Sequence, residues 1–268
     1  MTAAKMPGDD MVMALFERLA QAAAGEILTV KKAGIDVQRK DDNTPVTEAD
    51  MRAEAVILAG LENELPEIPH VGEEEVSNGT VPGDLGDCFV LVDPLDGTRE
   101  FVAGRSEFTV NIALIRGGVP VVGVVMVPAT GVVYSASPSV AERFEIHADG
   151  SKGQRERIFA TKQAQTVRIV ASRSHRTAET DQFISQYECA EIISTGSSLK
   201  FCLLAEGKAD LYPRFGRTME WDTAAGDAIL RAAGGTTCLV DGSALLYGKR
   251  NQPNDCDFAN PWFISRGA

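Results

Sequence analysis

A chain of 268 residues with 44% hydrophobic and 24% charged side chains holds enough apolar material for one large or two medium soluble domains. Its net charge of −12 excludes a general affinity for nucleic-acid backbone, which needs clustered Lys and Arg. An anionic ligand must instead be met by local cations, either metal ions or a few basic side chains. The five cysteines, Cys88, Cys189, Cys202, Cys238 and Cys256, are scattered and form no Cys-x-x-Cys pair, as expected of reduced thiols in a cytosol. Glu17 and Arg18 interrupt the apolar residues after Met11, so no secretory signal is expected. The most apolar run, 119–128, is too short for a bilayer and carries two prolines and a glycine, so no integral membrane segment is expected either.

Leu15, Leu19, Ala22 and Ile27 recur near helical spacing and predict an amphipathic helix over about 10–32, stopped by Gly34. Thr47-Glu48-Ala49-Asp50 has capping-box spacing and predicts a second helix running from Thr47 through Ile57 and Leu61 toward Pro66. Cys88-Phe89-Val90-Leu91-Val92 reads as a buried strand. Further strands are predicted at 108–115, 119–127 and 132–135, joined by Gly117-Gly118 and Ala129-Thr130-Gly131 as hairpin turns. Beyond a polar stretch at 148–156, strands at 167–171, 191–194, 210–212 and 237–240 alternate with helices near 178–187, 198–205 and 222–233. The fold class is therefore α/β. Residues 1–160 are expected to form an α+β half with an antiparallel sheet, and residues 161–268 an α/β half with a more parallel, helix-covered sheet.

Asp93-Pro94-Leu95-Asp96-Gly97-Thr98 closes the buried strand with two carboxylates and a Gly-Thr turn. Open α/β architectures place ligands beyond such strand ends, where hard cations such as Mg²⁺ take carboxylate, carbonyl and water oxygens. Two acids crowded beside a proline-constrained turn raise each other's pKa unless a cation balances them. The N–H groups of Gly97 and Thr98 offer the anion-binding start of a helix. An aspartyl-phosphate enzyme would carry Asp-x-Asp before Gly-Thr, with the first Asp attacking phosphorus. Here Pro94 and Leu95 separate the acids, which favours water as the nucleophile. Three other acidic sites have ordinary alternatives when taken singly. Asp50 completes the capping box of Thr47, Glu73 and Glu74 suit a solvated loop, and Asp222 suits the N-cap of the helix at 222–233.

Together, Asp50, Glu73-Glu74, Asp93 to Thr98 and Trp221-Asp222 resemble the signature of the metal-dependent, lithium-sensitive phosphomonoesterases. That superfamily includes inositol monophosphatases, fructose-1,6-bisphosphatases and bisphosphate nucleotidases, and the likeness extends to the closing block Asn260-Pro261-Trp262-Phe263-Ile264. Within it, the surrounding blocks resemble the CysQ-type 3'(2'),5'-bisphosphate nucleotidases. These blocks are Asp42-Asn43-Thr44-Pro45-Val46-Thr47, Arg99-Glu100-Phe101, 107–114, Ser172-Arg173-Ser174-His175, 196–202 and 211–216. Asp227 departs from the pattern, because the subfamily commonly has His there, which puts a detail of the substrate pocket in question.

The resemblance implies a layered αβαβα sandwich in which Glu73, Asp93, Asp96, Asp222 and the Leu95 carbonyl hold two or three Mg²⁺ ions. It implies that Asp50, with the Thr98 hydroxyl, positions and deprotonates the attacking water, with no enzyme-bound phosphate. His175, Ser197, Lys200 and Arg214 match positions that contact the base, ribose or second phosphate, although each also suits an ordinary surface, loop or cap residue. The implied reaction removes the 3'-phosphate of adenosine 3',5'-bisphosphate to give AMP and phosphate, with the sulfated analogue as a second substrate, in the context of sulfur assimilation. Inhibition by Li⁺, a small phosphorylated nucleotide as partner, a monomer or homodimer, and a cytoplasmic place, with or without peripheral contact at the inner membrane face, complete the expectation. An inositol-phosphate or sugar-phosphate phosphatase on the same scaffold and a non-catalytic nucleotide- or metal-binding regulator stand as alternatives.

Overall fold

The computed structural model describes residues 7–39, 45–163, 165–172, 176–187 and 190–268. The chain begins with α1 (Asp9–Ala33), β1 (Val37–Arg39), β2 (Pro45–Thr47), α2 (Glu48–Glu64), β3 (His70–Gly72), α3 (Glu73–Ser77) and β4 (Cys88–Asp96). It continues through α4 (Thr98–Val102), β5 (Thr109–Arg116), β6 (Val119–Val127), β7 (Val132–Ser137), β8 (Val140–Glu145) and β9 (Glu156–Arg157). The remainder is β10 (Arg168–Ser172), α5 (Ala178–Ile184), β11 (Glu191–Thr195), α6 (Leu199–Ala205), β12 (Leu211–Arg214), α7 (Ala224–Ala232), β13 (Thr236–Leu239) and β14 (Phe263–Arg266).

Helix α1 buries Val12, Phe16, Leu19, Ala23, Ile27 and Val30 along one stripe. Asp9 and Asp10 in its first turn and Lys31 and Lys32 in its last complement the helix dipole, and Gly34 ends it at a φ of 107°. The β5–β6 hairpin turns through Gly117 and Gly118, both at positive φ, as a tight turn matched to strand twist requires.

Seven strands form one sheet in the order β3-β4-β5-β6-β7-β8-β9, antiparallel except for β3 and β4. A second sheet has the order β11-β10-β12-β14-β13. Alternation along the strands of the larger sheet feeds two cores. Val90, Val92, Ile112 and Val124 face Phe16, Ile27 and Ile57 of α1 and α2. Phe89, Leu91, Ala113 and Val125 face Phe201 of α6 and Ala224, Ala225 and Ile229 of α7, which also meet Val170, Tyr212 and Phe263 of the second sheet. Ile169, Leu211 and Ile264 close the far side with Ile184 of α5. The layers therefore run αβαβα, the mixed α/β sandwich expected. Helix α7 lies so close to β6 that a Cβ on Gly123 would meet the Ala225 carbonyl oxygen at 2.4 Å.

Several details differ from the sequence expectation. The second sheet is mixed, because β14 pairs antiparallel with both β12 and β13. Four residues after Pro261 carry too little alternation to announce a central strand. Strands β8 and β9 extend the first sheet beyond the expected meander. Glu73 and Glu74 open a helical turn rather than a solvated loop, and Glu74 is buried. Helix α7 starts at Ala224, with Thr223 at its N-cap, so Asp222 is not the cap of that helix.

Candidate active site

The end of β4 is irregular in a way that serves chemistry. Asp93 pairs with Asn111 and Asp96 with Thr109, so three steps along β4 match two along β5. Residues three apart on a regular strand point to opposite faces. The bulge inserts one residue and re-aims the next side chain, which brings Asp96 level with Thr109 on the face shared by Asp93 and Asn111. Pro94 sits at this bulge, where a missing N–H disrupts no ladder.

Helix α2 delivers Asp50, whose two oxygens divide their tasks. Oδ2 accepts from the Thr47 N–H at 2.7 Å and the Thr47 hydroxyl at 2.8 Å, which closes the capping box, while Oδ1 lies 3.2 Å from Thr98 Oγ1. Thr98 Oγ1 is also 3.2 Å from the Leu95 carbonyl oxygen. A hydroxyl carries one proton, so Thr98 can donate to one of these acceptors at a time. The capping and site readings of Asp50 are thus compatible.

Glu73, the first residue of α3, and Asp222, just before α7, converge on Asp93. One carboxylate oxygen from each lies within 4.8 Å of those of the other two. Oxygens facing each other across a hard cation are about 4–5 Å apart, given ion–oxygen distances of about 2.0–2.6 Å. An all-oxygen, multiply charged donor set fits Mg²⁺, Ca²⁺ or Mn²⁺ rather than softer metals. Asp93 Oδ1 accepts from the Leu95 N–H at 3.0 Å, and Asp222 Oδ2 from the Met219 N–H at 2.8 Å. Asp96 lies beside this trio, 3.4 Å from the Ser198 hydroxyl, which is only 2.7 Å from the Asp222 carbonyl oxygen.

Burial and mutual repulsion dominate the electrostatics. Desolvation, then Glu73, Asp96 and Asp222, hold the Asp93 pKa well above the usual carboxylate range. Burial, with Asp96 and Glu73 adding, pushes Asp222 up to about 8. Burial likewise pushes Asp96 up to about 6, and Lys200 opposes the rise. The Lys200 ammonium is itself held down to about 8 by burial, against the pull of Asp96.

These shifts set a pH dependence. Without metal, Asp96 and Asp222 keep their protons to about pH 6 and 8, whereas an unfolded Asp releases its proton near pH ~3.9. Between those limits the folded state binds more protons than the unfolded state, so stability falls as pH rises through this window. A divalent ion must displace the same protons, so its affinity climbs with pH. Calorimetry of metal-free protein is expected to give a lower Tm at about pH 8 than at about pH 5, and a larger Mg²⁺-induced rise at the higher pH. Equal melting at both values would remove the proton-loaded carboxylates.

The opposite wall is basic. Ser197 has a φ of 47°, and its buried hydroxyl finds no hydrogen-bond partner among the described residues. Lys200 donates to the Ser197 carbonyl and lies over the Tyr212 ring, 5.4 Å from its centroid. Arg214 is buried and donates to the Arg217 carbonyl at 2.8 Å. These three residues share one cavity of about 700 Å³ with Glu73, Asp93, Leu95, Asp96, Gly97, Thr98 and Asp222. Gly97 adopts a φ of 92°, and a Cβ there would lie 3.1 Å from the Glu107 carbonyl oxygen, so a bulkier residue is disfavoured twice. His175 lies outside the described residues, as do Asp42, Asn43 and Thr44.

Asp227 takes no part in the cavity lining. Its Oδ2 accepts from Arg231 Nε at 2.9 Å and the Tyr247 hydroxyl at 3.1 Å. Its departure from the subfamily pattern is therefore answered inside the scaffold. Sequence reasoning missed Glu54 and Asn111. Glu54 is buried one turn after Asp50, and an acid between the apolar Ala53 and Ile57 was its signal. Asn111 is 1% exposed opposite Asp93, with both polar side-chain atoms unpartnered among the described residues.

Comparison with known proteins agrees with this geometry. The 3'(2'),5'-bisphosphate nucleotidase CysQ of Escherichia coli O157:H7 is 43% identical over 248 residues, covering 92% of this chain and 96% of that protein. The crystal structure of CysQ from Bacteroides thetaiotaomicron superposes with a TM-score of 0.76 at 39% identity, covering 97% of each chain. An inositol monophosphatase from Zymomonas mobilis follows with a TM-score of 0.74 at 25% identity, covering 97% of this chain and 94% of that one. Residues 9–261 match the model of the inositol monophosphatase family, and with this sandwich and its acidic cluster at the end of β4 the chain belongs to that metal-dependent family.

Proposed function

We propose that this protein is a Mg²⁺-dependent phosphoric monoester hydrolase, a 3'(2'),5'-bisphosphate nucleotidase that releases the 3'-phosphate of adenosine 3',5'-bisphosphate as phosphate and leaves AMP. The observation that carries the reading is the single cavity in which the Glu73, Asp93 and Asp222 carboxylates face Lys200, Ser197 and Arg214. The identity to CysQ across almost the whole chain supports the same substrate class. The sulfated analogue of the bisphosphate is a second candidate substrate.

In this reading Glu73, Asp93, Asp96, Asp222 and the Leu95 carbonyl hold two or three ions. Bound there, Mg²⁺ supplies Lewis acidity toward the phosphate, a more acidic water and charge for the leaving oxygen. The chain supplies position. Asp50 Oδ1 takes the proton of the attacking water, and the Thr98 hydroxyl, when it donates to the Leu95 carbonyl, turns a lone pair toward that water. The N–H groups of Gly97 and Thr98 face the phosphate oxygens. Lys200 and Arg214 bind the phosphate that does not react, with Ser197 and His175 at the sugar or base. Phosphoryl transfer depends on such positioning and charge placement more than on covalent chemistry. Residues 1–160 would carry most of the catalytic groups, and residues 161–268 the nucleotide contacts and the last acid. Among the described residues no helix is long and apolar enough to cross a membrane. Scattered cysteines without a Cys-x-x-Cys pair support a cytoplasmic place.

Phosphate release measured with Mg²⁺ on bisphosphate nucleotides, inositol 1-phosphate and fructose 1,6-bisphosphate tests the reading. Preference for the inositol ester would overturn it. Lys200→Ala is expected to raise KM for the bisphosphate by about tenfold or more, since a hydrogen bond to a charged group is worth about 1.5–3 kcal/mol. A simple monoester should lose much less. Equal losses on both substrates would remove Lys200 from the second phosphate.

A further inference from the structure

We propose that Glu54 is the positioning residue that aims Glu73 at the carboxylate cluster, an assignment that rests on Glu73 serving as a metal ligand. Glu54 is 4% exposed on α2, one helical turn after Asp50. Its Oε2 accepts from the Glu74 N–H and its Oε1 from the Glu75 N–H, each at 2.8 Å. These are the second and third residues of α3, whose N–H groups a helix start leaves without intrahelical partners. Gly72 at the N-cap has no side chain with which to satisfy them. Hydrogen bonds from two successive peptide groups to one carboxyl group fix the orientation of the turn that begins with Glu73. A glutamine in place of Glu54 would present one acceptor and turn an NH₂ group against the other N–H.

Gly72 completes the clamp. Its φ of −96° and ψ of 145° suit any residue, so backbone conformation does not demand glycine. Space does: a Cβ at this position would lie 2.6 Å from Glu54 Oε2. The carboxylate thus sits directly against the backbone that precedes Glu73. Because Asp50 and Glu54 share one face of α2, the same helix holds both the Asp50–Thr98 contact and the aim of Glu73. Neither Glu54 nor Gly72 lines the cavity.

Isothermal titration of Mn²⁺ into metal-free full-length protein tests the clamp, with Tm measured on the same samples. Glu54→Gln is expected to weaken binding by about 10- to 100-fold, the usual loss when a residue that orients a ligand is changed. Gly72→Ala, which displaces the Glu54 carboxyl group but leaves the residue itself unchanged, should weaken binding in the same way, and the double variant should lose little more than either alone. Leu19→Ala, which empties buried volume between α1 and α2 outside the cavity lining, should lower Tm and keep wild-type affinity. Wild-type affinity in Glu54→Gln or Gly72→Ala overturns the proposal, as does a comparable loss in Leu19→Ala. If Glu54→Gln does not fold, Gly72→Ala carries the test. Glu73→Gln separates the two readings: retained Mn²⁺ binding there refutes Glu73 as a ligand, whereas its loss beside intact binding in Glu54→Gln refutes only the clamp.

Discussion

Asp50→Asn is expected to fold normally and to hydrolyse the bisphosphate about 10²- to 10⁴-fold more slowly, the range associated with a positioned general base. The remaining amide oxygen can still accept from the Thr47 N–H, so the helix cap survives, while the NH₂ group takes the place of Oδ1 beside Thr98. Asp50→Ala should lose the rate and also about 0.5–2 kcal/mol of stability, because the capping box opens with it. The two variants together separate the two oxygens observed in the structure, one engaged with Thr47 and one with Thr98. Steady-state kinetics in ample Mg²⁺, alongside thermal melting, provide the check. Near-wild-type turnover in Asp50→Asn would refute the base.

Asp96→Asn is expected to lower turnover by about 10- to 100-fold at limiting Mg²⁺, with recovery as the ion is raised. Its effect on stability should have the opposite character. Burial raises the Asp96 pKa by more than Lys200 lowers it, so a neutral amide in place of the carboxylate removes a desolvation cost in the metal-free protein. The metal-free Tm near neutral pH should therefore hold or rise, while the stabilisation gained from Mg²⁺ shrinks. A titration of activity against Mg²⁺ and a pair of melting curves decide the matter. Unchanged activity at limiting ion, or a collapse of the metal-free Tm, would count against this placement of charge.

The elements legible in the sequence were those whose signals are local. The stripe of Phe16, Leu19 and Ile27, the box at Thr47 and the glycine pair between β5 and β6 each state their structure within one or two turns of chain. Asp93 and Asp96 were legible for the same reason, since a run of apolar residues stopped by acids marks a strand end. Strand β14 was not, because its place between β12 and β13 depends on partners far away in the chain. Asp222 read equally well as a helix cap, and only the start of α7 at Ala224 distinguishes the two. Glu54 was passed over although an acid on an apolar stripe is visible, because its partners are the N–H groups of Glu74 and Glu75, which no side-chain pattern displays. Asp227 was noticed as a substitution, but its answer in Arg231 and Tyr247 needed the folded packing.

The contact between Gly123 and α7 ties the reactive centre to an inert-looking stretch of Val-Val-Gly-Val-Val. Relieving a 2.4 Å approach to ordinary van der Waals separation would take about 1 Å of movement, and α7 begins two residues after Asp222. A displacement of that size in a reacting array can cost about 10²-fold in rate. A single methyl group added in the middle of a sheet, remote from solvent and substrate alike, would thus act as a fault in the enzyme's alignment, and the freedom of that strand to drift is limited by catalysis as well as by folding.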